Sequence, residues 1–528
     1  MLIPPFKPKL PEIAESEQTP LVRGLLQIIG HQQEQIQRLE DEIRRLQGGP
    51  PRPQLKPNTL EPAGTAAQEA ADGAQPRRRG PQRAKTAELA IHATEKVAVA
   101  NVPDGSEFKG HRRFVVQDLE IRPHNTCYLL EQWRFPTGEY VTAPVPATAV
   151  RGGHYGPQLV SYLLHQYYHA HVTQPLLLAQ LHDWGIEISA GQLNRLLTEG
   201  HDAFHQEKAE IKTAGLATST YIQADDTGAR HQGQNGYCTY IGNERFAWFA
   251  STDSKSRVNF LELLQTERCY AVNAEALAYM AERGLAAGHC ERLAAHPVVL
   301  TDPEDWAAHL RRNLVDSPRA VTLATEGALI GGLAVQGFNL NIGLVSDDAG
   351  QFDLFVHGLC WVHAERPLSH LVPLNESDRR AIAWVRQQVW FLYRDLKAYR
   401  QHPDPAAKDP ITAGFEALCA TETPCEPLNQ VLQGLQRNQA ELLRVLERPD
   451  VPIHNNRSET DLRDLVKKRN ISAGTRSADG RRCRDTFASL KKTCRKQGVS
   501  FWEYLKDRVA GLNVIPSLAE LIRRPVTA

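Results

Sequence analysis

No two of the nine cysteines form a Cys-x-x-Cys pair, and the nearest two, Cys419 and Cys425, are six apart. A disulfide framework is not expected in so long a chain. The sequence also lacks any uninterrupted apolar run of transmembrane length. Met1 to Leu10 carries three prolines and two lysines without the apolar core of a signal peptide. No membrane partner is therefore expected, and the expected location is a reducing cytoplasm. Net charge is missing too: Lys+Arg and Asp+Glu number 61 each, so the overall balance gives no hint of nucleic acid.

What is present is size and local bias. With 528 residues, 41% of them hydrophobic, the chain has enough apolar material for more than one core and divides into several domains. Between Val451 and Ala510 fifteen Lys or Arg stand against seven Asp or Glu, and Arg77, Arg78, Arg79, Arg83 and Lys85 form a second basic cluster. A locally basic surface on a neutral protein suits a partner with phosphates, although a solvated helix face gives the same composition.

Along the chain, Val22, Leu25, Ile29, Gln32, Ile36, Leu39, Ile43 and Leu46 alternate at steps of three and four. β-Branched residues at one position and Leu at the other favour a parallel two-stranded coiled coil over residues 1–47, and hence a homodimer. Residues 48–89, rich in Pro, Gly, Ala and Gln, read as a basic linker without a core. Residues 90–150 read as a small β-rich module. The runs Phe114 to Val116, Tyr128 to Leu130 and Tyr140 to Thr142 are its strands, and Pro103-Asp104-Gly105 and Pro136-Thr137-Gly138 are its turns.

Residues 151–216 are helical in pattern. Pro175 to Asp183 reads as one helix stopped by Gly185, and Ser189 with Gln192 has capping-box spacing for a second helix, Ala190 to Glu199. The pair suggests a helix-turn-helix whose second helix, with Gln192, Asn194 and Arg195, enters a major groove; an ordinary helical hairpin has the same spacing. From Ser219 strands take over, at Thr220 to Ala224, Tyr237 to Ile241, Phe246 to Ser251 and Leu344 to Ser346. After Leu368 the chain is helical, with Asn455-Asn456 opening the helix that carries Glu459.

Two Asp residues at strand ends, Asp225 and Asp347, and a Glu on a later helix, Glu459, are the oxygen donors that two-metal phosphodiester chemistry requires. The gaps of 122 and 112 residues both leave room for inserted structure. Spacing alone is a weak argument among 61 acidic residues. Asp225 and Asp226 read equally as strand-end turn residues, Asp347 and Asp348 as the start of a turn, and Glu459 as a helix-capping residue three after Asn456.

Resemblance tips that balance. The stretch from Val451 through His454-Asn455-Asn456-Arg457-Ser458-Glu459 and Arg463 to Lys468-Arg469-Asn470, Ala473-Gly474, Ser477 to Gly480 and Tyr504-Leu505 resembles the carboxyl-terminal signature of the sixty-six family of bacterial insertion-sequence transposases. Ala224-Asp225-Asp226-Thr227, Ser346-Asp347 with Gln351-Phe352, and Cys360-Trp361-Val362-His363-Ala364-Glu365-Arg366 are similar to three further elements of that family, in the same order.

The resemblance implies an α/β multidomain protein. Its RNase H-like catalytic core (217–361, completed by 453–528) is interrupted by a helical insertion (362–452). It implies a DNA transposase of the nucleoid, with Asp225, Asp347 and Glu459 as catalytic residues and ligands of two Mg²⁺ ions, or Mn²⁺ in their place. Water would cut the element ends, and the freed 3′-hydroxyl would attack target DNA. The implied partners are DNA, as terminal inverted repeats and target, and small accessory proteins of the same element. Arg463, one turn after Glu459, together with Lys467, Lys468, Arg469, Arg481, Arg482 and Arg484, fits contacts to DNA phosphates.

The chain departs from the family pattern at His454, where Asp is usual, at Thr460, where Arg is usual, and at Asp226, where Glu is common. It has only Cys127 where members often carry a four-cysteine zinc finger, so zinc is not expected there. Cys360 and His363 are expected to be structural. Two other readings compete: a DNA-binding descendant that no longer cleaves, and a zinc-dependent regulator built on Cys360 and His363, which has too few ligands.

Overall fold

A computed structural model describes residues 90–146 and 154–525. The expected coiled coil, linker and amino-terminal basic cluster all lie outside the described residues. The chain forms two compact units, 1–118 and 119–528. In the first, residues 90–118 have the turn expected at Asp104-Gly105, closed by Ser106 N–H donating to Pro103 O at 3.2 Å, but no helix or strand.

The second unit begins with a single hairpin, Gln132–Arg134 against Tyr140–Thr142, turning at Pro136-Thr137-Gly138. This corrects the expected β-rich module. The runs Phe114 to Val116 and Tyr128 to Leu130 form no strand, and Phe114 and Leu129 are 86% and 91% exposed. β-Branched and aromatic residues favour strands where a pleated, half-buried surface receives them, and two three-residue strands supply none.

Helices α1 (Gln174–Asp183) and α2 (Ala190–Thr198) follow the expected punctuation. Pro175 sits in the first turn of α1, where its missing N–H costs nothing, and Gly185 leaves the helix at φ 73°. Ser189 caps α2 by accepting from Gln192 N–H at 3.1 Å. The reciprocal half of a capping box is not made, because the Gln192 side chain instead accepts from Arg195. Leu193, Leu196 and Leu197 bury the inner face of α2, and α3 (Asp202–Thr218) leads into the sheet.

That sheet has five strands: β1 (Tyr221–Gly228), β2 (Tyr237–Gly242), β3 (Ala247–Thr252), β4 (Gly343–Ser346) and β5 (Val356–Leu359). Their order is β5-β4-β1-β2-β3. β1, β2 and β3 form an antiparallel meander, and β4 and β5 join parallel to β1. Alternation divides the side chains between two faces. Ile222, Ala224, Ile241, Trp248 and Ala250 enter the large core shared with α3. Cys238, Tyr240, Ala247 and Phe249 face the other way and pack with Leu462.

Two helical stretches are inserted. Between β3 and β4 the chain forms α4 (Arg257–Leu264), α5 (Ala274–Glu282) and α6 (Pro318–Val335), with further short elements between them. The sequence reading did not separate these helices from the strands. α6 is apolar nearly all round because it is buried on most sides, so it has no clear amphipathic period. After β5, α7 (Trp361–His370) leads to α8 (Glu376–Gln401), α9 (Pro405–Cys419) and α10 (Glu426–Arg437), which have their own core. Trp361 belongs to that core, and its indole N–H donates to Leu442 O at 2.7 Å.

The last long helices are α11 (Asn456–Ser472) and α12 (Ala478–Lys496). α12 runs along β3 and covers its free edge. Asp485, Ser489 and Thr493, four apart and so on one helix face, accept from the backbone N–H groups of Ser251 (2.8 Å), Phe249 (3.0 Å) and Ala247 (3.2 Å). An uncovered edge strand would offer these donors to another chain.

Candidate active site

Register brings the first two carboxylates together. β1 pairs with β4 in parallel, Tyr221 opposite Gly343 through Gln223 opposite Val345. The pairing stops there and β4 ends at Ser346, but Asp347, the next residue, is close enough to Asp225 for its charge to raise that carboxyl. Asp225 pairs with Tyr240 on β2 and so shares the face covered by α11.

The chain before α11 is tied into this region at three points. Trp361 N–H donates to Ile453 O at 3.0 Å, the Gln223 amide donates to His454 O at 2.9 Å, and Asn455 N–H donates to the Cys360 sulfur at 3.4 Å. α11 thus starts beside Gln223 and Asp225, in the middle of β1, and Arg469 near its other end reaches Gly228 at the end of that strand. The Ser458 hydroxyl lies 3.5 Å from Asp225 Oδ2, and Glu459 is the next residue.

Asp225 records this convergence electrostatically. Burial pushes its carboxyl up from 3.8 to about 7, and the charges of Asp347, Asp226 and Glu459 push the same way against a hydrogen bond from Asp226 N–H. Because the folded value lies above the ordinary one, the associated stability is fully present below pH of about 4 and is lost as pH rises through about 7. Asp225→Asn carries no charge at any pH and keeps an acceptor for Asp226 N–H. In EDTA it is expected to melt above the parent at pH 8, with the gain shrinking as pH falls toward 4. Calorimetry across that range checks this, and a pH-independent gain would refute the assigned cause.

Asp226 points to the opposite face. It accepts from the Thr239 hydroxyl at 2.5 Å and from the Gln351 amide at 2.9 Å. Asp348 is exposed and accepts from the Asn438 amide at 3.3 Å, while Asp347 caps its own turn through Ala349 N–H.

Glu459 is held from α7. Its Oε1 receives Arg366 Nη2 at 2.7 Å and lies 3.3 Å from His363 Nε2. Cys360 is a buried free thiol just before α7 whose sulfur accepts from Asn455 N–H. His363 faces the candidate catalytic Glu. Spacing gave part of that signal, because His363 and Arg366 are three apart and share one face of a helix. Nothing in the spacing linked that face to Glu459, 93 residues beyond Arg366.

Among the described residues, no three His, Cys, Asp or Glu side chains are gathered closely enough to form a finished metal cage. The donors nevertheless suit a hard divalent cation. Three carboxylates share one region, and a cation there would offset the repulsion that adds to burial in raising Asp225. The buried Asn455 amide and His363 ring interact with each other but meet no well-formed hydrogen bond at Asn455 Nδ2, Asn455 Oδ1 or His363 Nδ1, so polar capacity is left beside Glu459.

The expected phosphate contacts divide. Arg463 and Lys467 are exposed on α11, at four and eight residues from Glu459 and so along one line of the helix. Arg482 is exposed, 3.8 Å from Asp202, and Arg481 pairs with Asp253 at 2.8 Å. Lys468 lies 3.8 Å from the Tyr167 ring centre, and burial lowers its ammonium to about 8. Arg469 donates to Gly228 O and the Thr227 hydroxyl.

Arg484 is a correction. Its side chain is 15% exposed and is bound to Asp485 and the Ser251 hydroxyl, so no face remains for a phosphate. On α2, Asn194 and Arg195 are exposed and Gln192 is half-buried; Asn194 accepts from Gln174, and Arg195 donates to Gln192. No described helix is long and apolar enough to cross a membrane.

A family model described as transposase IS66 family matches residues 344–482, a stretch that includes Asp347, the Cys360 to Arg366 element and Glu459 but not Asp225. The chain is also similar to an uncharacterized protein, y4jO, of Sinorhizobium fredii (strain NBRC 101917 / NGR234). The two are 41% identical over 315 residues, which is 58% of this chain and 98% of that protein. No solved structure matches.

Proposed function

Because this chain belongs to the IS66 family of transposases, we propose that it cuts and rejoins DNA at the ends of a mobile element, on an RNase H-like core. Asp225, Asp347 and Glu459 would hold two Mg²⁺ ions, with Mn²⁺ able to replace them. The observation that carries the reading is the convergence on Asp225 of the charges of Asp347 and Glu459, with Ser458, the residue before Glu459, 3.5 Å from its carboxylate. The sheet order, a three-stranded meander extended by two strands parallel to its first, supports the RNase H-like assignment.

Bound divalent ions would activate the attacking oxygen and stabilise the leaving one in an in-line displacement. Water attacks phosphorus at the element end and the P–O3′ bond breaks, leaving a 3′-hydroxyl and a 5′-phosphate. That 3′-hydroxyl then attacks a target phosphodiester and displaces the target's own 3′-oxygen. Arg463 and Lys467, exposed beside Glu459, and Arg481 and Arg482 on α12 would neutralise backbone phosphates, which sets affinity without reading sequence. Gln192, Asn194 and Arg195 on α2 would face the bases of the terminal repeats.

Cleavage of a labelled duplex carrying the repeats that flank the gene tests this reading. Nicking in Mg²⁺ that stops in EDTA supports it. Binding without nicking, with or without the element's accessory proteins, would favour a descendant that only binds DNA.

Two ends must be joined at once, so we propose a homodimer formed by the coil over residues 1–47. The intact chain is expected to sediment as a dimer and the chain lacking those residues as a monomer. An unchanged oligomer after truncation would contradict this.

A further inference from the structure

Glu459 presents its two oxygens differently. Arg366 Nη2 donates to Oε1 at 2.7 Å and His363 Nε2 lies 3.3 Å from the same oxygen, whereas Oε2 has no hydrogen bond or ion pair among the described residues. Both side chains come from one face of α7, which is anchored independently of Glu459. Cys360 N–H is bonded to Ser346 O on β4 at 3.0 Å, next to Asp347, and Trp361 is locked into the core of the helical insertion. α7 is therefore fixed to the strand that carries one carboxylate and reaches over to grip another.

We propose that His363 and Arg366 are positioning residues for Glu459. By occupying Oε1 they fix the carboxylate's orientation and reserve Oε2 as the single oxygen offered to a divalent cation. Carboxylate ligands held by neighbouring hydrogen bonds lose about 10–100-fold in metal affinity when those partners are removed. An unheld Glu at the start of an exposed helix would sample several rotamers, and the cation would have to order it on binding. This inference rests on Glu459 being a ligand, as proposed above.

The test is Mn²⁺ binding to the full-length protein without DNA, read from the electron paramagnetic resonance signal of free Mn²⁺. Arg366→Ala and His363→Ala are each expected to weaken binding by roughly tenfold or more. Melting temperature should change little for Arg366→Ala, because that side chain is 46% exposed. Arg366→Lys, which keeps the charge but loses the planar fork, should fall between Arg366→Ala and the parent. Adding Arg366→Ala to Glu459→Gln should weaken binding no further than Glu459→Gln alone, since the two act through one oxygen donor.

Parent-like or tighter Mn²⁺ binding by Arg366→Ala, alongside weakened binding by Glu459→Gln, would overturn the positioning role and make Arg366 a competitor of the cation. Parent-like binding by Glu459→Gln would instead overturn the ligand assignment itself, and the proposal with it.

Discussion

Asp225→Asn, Asp347→Asn and Glu459→Gln are each expected to lower strand cleavage in Mg²⁺ by on the order of a thousandfold or more, while binding to a duplex carrying one element end survives. Each change keeps the side chain's shape and removes a negative charge from the region proposed to hold divalent ions and, through them, to stabilise the attacking and leaving oxygens. Loss of a single preorganised charge-stabilising group already costs about 10²–10³ in related chemistry. Binding should persist because the proposed phosphate contacts, Arg463, Lys467 and the basic face of α12, do not include the carboxylates. Asp226→Asn and Asp348→Asn are the internal controls. Asp226 faces the opposite side of the sheet toward Thr239 and Gln351, and Asp348 lies exposed against Asn438, so both variants should keep appreciable activity. Single-turnover cleavage of a labelled duplex measures this. If the Asp226 variant alone were dead, the wrong member of that pair was assigned.

The largest loss of stability is expected from Asp485→Ala. Asp485 is buried, and its carboxylate accepts from Ser251 N–H at 2.8 Å and the Ser251 hydroxyl at 2.9 Å while pairing with Arg484 at 3.1 Å. Its removal leaves a largely buried guanidinium without its counter-charge and an edge-strand N–H without an acceptor. Breaking one side of a buried pair typically costs about 3–5 kcal/mol. Asp485→Asn keeps an acceptor for the strand and should cost less. Denaturant midpoints of the parent and both variants check this, and a shift for Asp485→Ala no larger than that of an exposed control such as Asp348→Ala would refute the structural role given to Asp485.

Those two predictions also separate what local sequence reveals from what it does not. The Ser189 cap, the Gly185 stop, the strands read at Thr220 to Ala224 and Leu344 to Ser346 and the helix opening at Asn456 depend on neighbours within a few residues and were legible, although the first strand runs on to Gly228. That Asp225 and Asp347 meet depends on β1 and β4 lying side by side, which no local pattern shows; the resemblance implied only the kind of fold. Arg484 shows the limit. It sits in a basic run beside Arg481 and Arg482, and charge composition cannot tell an arginine facing solvent from one bound to a buried Asp. That Asp485, Ser489 and Thr493 cover a sheet edge was equally hidden, because which strand lies at the edge is a property of the whole topology. The strands expected at 114–116 and 128–130 failed for the converse reason: their propensity had no surface to pack on. His363 and Arg366 were visible as a motif, but their purpose emerged only when α7 and α11 met across the insertion.

Asp225, Asp347 and Glu459, far apart in the chain, are proposed to hold jointly the divalent ions that drive cleavage. An anomalous-scattering map of the protein crystallised with Mn²⁺ tests this directly. Density is expected within roughly 2.0–2.3 Å of oxygens from all three, by analogy with the distances of hard divalent cations, with Glu459 contributing Oε2. Density placed elsewhere, or at Asp226 on the opposite face with none at Asp225, would contradict it.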